Sequence, residues 1–140
     1  MRIEYGDLRV GYKVSFPYEI SLDDINNFVL LSGDKNPLHV DIDYGKKSVF
    51  SKNIVHGMLL ASLFSRIVGM YFGENVLYLS QNISFKKPSF VYDKIIVEGV
   101  VISKSDSTKV IGLDTYIYRN EDIIISGTAK FKYLSWKTRE

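Results

Sequence analysis

Residues 57–72 read GMLLASLFSRIVGMYF, and this run decides the fold. It is apolar almost all round, the pattern of a helix enclosed by other structure rather than one lying on a surface. Its most apolar part, Met58 to Met70, is interrupted by Ser62, Ser65 and Arg66 and is too short to cross a bilayer. Another part of the chain must wrap it. The segments 75–85, 94–104, 109–118 and 123–133 are rich in Val, Ile, Tyr and Phe and in several places alternate, which predicts four strands. Ser105-Asp106-Ser107 and Arg119-Asn120-Glu121-Asp122 separate the last three as polar hairpin turns, so the pairing is antiparallel. Strands that run consecutively after a buried helix predict an α+β domain, with an antiparallel β-sheet curled around one long central α-helix.

Upstream, SLDDINNFVLLSG (21–33) opens with Ser21 and carries Asp24 three residues on, close to a capping box, before apolar residues at helical spacing. Gly33 supplies the stop. Asn36-Pro37 then disfavours helix at Asn36 and stiffens the backbone before Leu38-His39-Val40, so Asp34 and His39 are expected on a loop.

A chain of 140 residues, 46% hydrophobic and 24% charged, fits one globular domain over residues 1–140. Its net charge of +2 comes from scattered residues and gives no concentrated field for a polyanion, so nucleic acid is not an expected partner. Cysteine is absent, which excludes disulfides, thiolate nucleophiles and cysteine metal sites. The start, MRIEYGDLRVGYKV, is charged and lacks the apolar core of a secretory signal, so a cytoplasmic location is the default expectation, with no membrane partner.

Histidine occurs only at positions 39 and 56, both between the first helix and the central one. In SGDKNPLHVD (32–41) a carboxylate and an imidazole stand five residues apart, close enough to share one water if the loop folds back, a pairing suited to general acid/base work. The residues alone allow a plainer reading, in which Asp34 caps a turn and His39 is a satisfied histidine at a strand edge. They also allow a metal set of His39, Asp41, Asp43 and His56, whose spacing matches no defined ligand motif. His56-Gly57 precedes the central helix, whose first N–H groups have no intrahelical partner and can face a substrate oxygen. Equally, Gly57 can simply ease a tight junction, with His56 as its cap. Ser62 and Ser65 are expected to bond back to a carbonyl one turn earlier. Lys86 and Lys87, before Pro88, can meet carrier phosphates or be solvated surface.

Two runs carry a family likeness: S-G-D-x-N-P-L-H-x-D at 32–41 and I-V-H-G-M at 54–58. With the flanking sequence and LYLSQNISFKKPSFVYDKIIVEGVV (77–101), the chain resembles the (R)-specific enoyl-CoA hydratases of the MaoC-like hot-dog group over most of its length. The resemblance implies the hot-dog fold and hydration of short trans-2-enoyl-CoA to (R)-3-hydroxyacyl-CoA. It implies Asp34 and His39 as the catalytic pair, Asn36 shaping their loop, and the Gly57 N–H as oxyanion donor beside His56. Ser65 matches a serine near the active site in close members. A homodimer is implied, with an acyl-CoA substrate and neither organic cofactor nor metal. The rivals are a dehydratase acting on acyl-carrier-protein thioesters, a hot-dog thioesterase and a non-catalytic acyl-thioester-binding subunit.

Overall fold

Ser21 and Asp24 close a full capping box: the Ser21 hydroxyl accepts from the Asp24 N–H at 3.1 Å, and the Asp24 carboxylate accepts from the Ser21 N–H at 2.9 Å. Helix α1, Leu22–Ser32, starts there and stops at Gly33, whose φ of 76° is the left-handed conformation that glycine adopts without strain. These details come from a computed structural model that describes residues 3–135. The ends of the expected 1–140 domain, residues 1–2 and 136–140, lie outside the described residues.

Six strands form one antiparallel sheet: β1 (Lys13–Glu19), β2 (Val76–Gln81), β3 (Ser84–Phe85), β4 (Lys94–Lys104), β5 (Val110–Arg119) and β6 (Asp122–Tyr133). Their order is β1-β4-β5-β6-β2, with β3 also on β6. The inward residues Ile95, Val97, Val101, Ile111, Leu113 and Ile117 are buried, and they meet Phe64, Ile67 and Val68 of the central helix in one apolar core. Burying a side chain of this size contributes about 1.5–3 kcal/mol, which is what holds the sheet around the helix.

Four expectations need correction. The central helix is two pieces, α4 (Gly57–Ser62) and α5 (Phe64–Tyr71), joined at Leu63. There the bonding tightens to three-residue spacing, Leu63 N–H to Leu60 O and Arg66 N–H to Leu63 O, while the Ser62 hydroxyl donates to Leu59 O at 2.5 Å. Nor is it enclosed all round, since Met58 and Met70 are 57% and 61% exposed, on the same side as Ser62, Ser65 and Arg66. Strand β1 was not anticipated, and the strand expected over 75–85 breaks after Gln81. At the break Asn82 turns onto β6, giving its N–H to Thr128 O and accepting the Thr128 N–H with its side chain.

The fourth correction concerns the expected loop after α1. It holds two short helices, α2 (Pro37–Val40) and α3 (Ile42–Lys47), so His39 stands on a helical turn. Pro37 occupies the first helical position, and the Asn36 side chain accepts from the Leu38 N–H at 2.9 Å as its cap.

Candidate active site

Asp34, His39, His56 and Gly57 line one cavity of about 520 Å³. Its other walls are apolar, from Phe50, Leu60, Phe85, Pro88 and Ile125 among others, and Lys86 and Lys87 stand with them. Lys87 is already paired with Asp122 at 2.8 Å. The segment that supplies Pro88 and Ser89 is tied down at both ends. Arg119 gives one N–H to Pro88 O at 2.9 Å and pairs with Asp93 at 2.8 Å, and the Val55 N–H donates to Ser89 O at 2.8 Å.

A carboxylate oxygen of Asp34 and one ring nitrogen from each histidine lie within 4.8 Å of one another. Each group is held by local backbone. Asp34 Oδ1 accepts from the Asn36 N–H at 3.1 Å in an Asx turn, and the Asp34 N–H donates to the Ser32 hydroxyl at 3.1 Å. His39 Nδ1 lies 2.8 Å from Ile54 O. A carbonyl oxygen only accepts, so Nδ1 carries the hydrogen, and in the neutral ring Nε2 is the nitrogen with the lone pair. The same rule gives His56 its hydrogen on Nε2, 3.1 Å from the carbonyl of Asp34, and leaves the buried Nδ1 without a hydrogen-bond partner.

The two imidazoles lie face to face, centroids 4.0 Å apart and planes at 28°, and Phe28 packs on His56 at 4.8 Å. His56 is 2% exposed, and burial holds its pKa below the usual histidine value, with the neighbouring His39 acting in the same direction and the Asp34 carbonyl opposing. A cation held by both rings would need their in-plane lone pairs to meet at one point, which stacked rings do not favour. The set His39, Asp41, Asp43 and His56 is not assembled: among the described residues the carboxylate that joins the two histidines is that of Asp34, while Asp41 Oδ1 caps α3 through the Tyr44 N–H at 3.0 Å.

Gly57 opens α4, with His56 as its cap residue but without a capping bond from the imidazole. A Cβ at position 57 would fall 2.6 Å from the Phe85 ring, so the aromatic edge packs directly on the helix start. Asn36 is close by but its side-chain oxygen is spent on the Leu38 N–H. Ser65 is exposed on α5 and does not line the cavity. The sequence alone assigns no role to Ile54, whose carbonyl orients His39, or to Phe85; the only signals are their places in the I-V-H-G-M and SFKKP runs.

The model of the MaoC like domain family matches residues 8–120. An (R)-specific enoyl-CoA hydratase of Aeromonas caviae is 36% identical over 127 residues, which cover 89% of this chain and 95% of that protein. A mitochondrial 3-hydroxyacyl-[acyl-carrier-protein] dehydratase of Arabidopsis thaliana is 30% identical over 126 residues, covering 87% of this chain and 75% of that one. The solved unliganded R-hydratase of Pseudomonas aeruginosa superposes with a TM-score of 0.88 at 29% identity, covering 99% of this chain and 93% of that one. Fold and relatives together define a hot-dog hydro-lyase, an enzyme that adds or removes water. Within that class the chain belongs to the MaoC-like family of hydratases and dehydratases.

Proposed function

We propose that this enzyme hydrates short trans-2-enoyl-CoA thioesters to (R)-3-hydroxyacyl-CoA, and runs the reverse dehydration, with Asp34 and His39 as its acid/base pair. One observation carries the reading: the Asp34 carboxylate and the His39 ring share the wall of an otherwise apolar cavity at a separation of no more than 4.8 Å. Two hydrogen bonds of about 2.8 Å span up to about 5.6 Å, so one water fits between them.

In the forward direction the water's hydroxyl bonds to C3 of the enoyl chain, its O–H breaking toward the pair, and a proton is delivered to C2 on the same face. The double bond becomes a single bond and no electrons leave the system. The thioester carbonyl gains negative charge on the way, and the Gly57 N–H at the start of α4 donates to it. Asn36 shapes the loop through its cap, and Lys86, the lysine not engaged by Asp122, meets the phosphates of the CoA moiety. Neither metal nor organic cofactor takes part.

Loss of the conjugated enoyl absorbance of crotonyl-CoA tests this. Wild type should turn it over to the (R) product, while Asp34→Asn and His39→Ala should remain folded and lose about 10²–10⁴-fold in kcat. Folded variants that keep wild-type turnover would remove the pair from the reaction. The Arabidopsis relative favours a second reading, the same chemistry on a carrier-protein thioester; consumption of crotonyl-acyl-carrier protein with inert crotonyl-CoA would establish it.

A further inference from the structure

A four-residue helix does not stand alone, because its single turn fixes several dihedral angles for very few hydrogen bonds. Helix α2 carries His39, so something outside it must hold it. Asn53 does this with one group. Its side-chain nitrogen donates to Asp41 O at 2.8 Å, to Leu38 O at 3.0 Å and more weakly to Pro37 O at 3.3 Å. All three partners are carbonyls that only accept, so the amide can face them only with its NH₂.

Helix α3 closes the far side. A Cβ at Gly45 would fall 2.6 Å from both the backbone and side-chain nitrogens of Asn53, so α3 rests directly on the amide with no space between. The next residue continues the hold. The Ile54 N–H donates to Leu38 O at 3.3 Å, and Ile54 O receives the His39 ring N–H at 2.8 Å. Residues 53 and 54 therefore fix the backbone beneath His39 and the ring itself.

We infer that Asn53 is a positioning residue for the reaction, holding the turn that presents His39 while touching neither substrate nor reacting atoms. The inference rests on the reading of Asp34 and His39 as the acid/base pair. Asn53 does not line the cavity, so its loss acts on the chemical step and not on thioester binding. A displacement of about 1 Å at a reacting group costs up to about 100-fold in rate.

Asn53→Ala is expected to lower kcat for crotonyl-CoA about 10–100-fold while KM changes less than about threefold. Asn53→Asp keeps the shape but turns acceptors toward three carbonyls, and is expected to lose at least as much; a residue that only fills space would leave Asn53→Asp active. The His39 ring N–H, held on Ile54 O, gives a second readout by proton NMR, expected as a protected signal in wild type and lost in Asn53→Ala. A folded Asn53→Ala with kcat within about twofold of wild type, or with the ring signal unchanged, overturns the inference. Where the alanine variant does not fold, Asn53→Ser, which keeps one donor, is judged by the same two readouts. If wild type hydrates no thioester, the acid/base reading fails on its own, and the ring signal still decides whether Asn53 holds the turn.

Discussion

Burial gives His56 a cost when it takes a proton, and that cost has a sign. An unfolded chain binds the proton at histidine's ordinary pKa of 6.5, while the folded site, with its pKa lowered by burial, resists it. The stability due to neutral His56 is therefore complete above about pH 6.5 and declines as pH falls from there. Urea midpoints between about pH 7.5 and about pH 4.5 should fall, with a smaller fall in His56→Gln; equal slopes in the two proteins would count against the assignment. At this scale the sequence was legible where spacing is rigid: 32–41 and 54–58 do bring Asp34, His39, His56 and Gly57 to one cavity. Ser65 falls outside it because helical spacing puts it with Ser62 and Arg66 on the exposed side. Asn53 carried no signal, because its partners are backbone carbonyls that any loop possesses.

Helix α1 begins where its cap begins, and Tyr18 adds to the cap by donating its hydroxyl to the Asp24 carboxylate at 2.8 Å. Ser21→Ala should cost about 1 kcal/mol, read as a lower urea midpoint at unchanged slope; no change would mean that Asp24 and Tyr18 suffice. Caps are legible because their bonds are local, and so were β4, β5 and β6, whose burial alternates along most of β4 and β5 and over the second half of β6. Strand β1 was not. It holds only Val14 and Phe16 in the core and includes Pro17, which an edge strand paired on one side tolerates. Helices α2 and α3 were invisible for a related reason: pieces of four and six residues owe their form to tertiary contacts, not to a periodic pattern.

Across the whole molecule, several large apolar side chains stand open to water. Leu30 and Leu31 are each 84% exposed and Val49 is 93% exposed, as are Met58 and Met70 of the central helix at 57% and 61%. Hydropathy records that a surface avoids water and not what covers it, which is why the run 57–72 read as wrapped on every side. The homodimer that the family resemblance implies would cover some of these side chains. Sedimentation should give twice the 16.0 kDa chain mass, with Met70→Glu shifted toward the single chain; a monomeric wild type at micromolar concentration would end the proposal.

Both imidazoles have one nitrogen committed to a carbonyl that can give nothing back. For traffic of protons the His39 ring is a cul-de-sac: whatever enters at Nε2 cannot leave through Nδ1 into the protein. On the proposed reading, a proton drawn from water can only be returned to the cavity side it came from. The pair therefore divides its access: the His39 ring exchanges protons only at Nε2, while the exposed Asp34 carboxylate meets solvent directly.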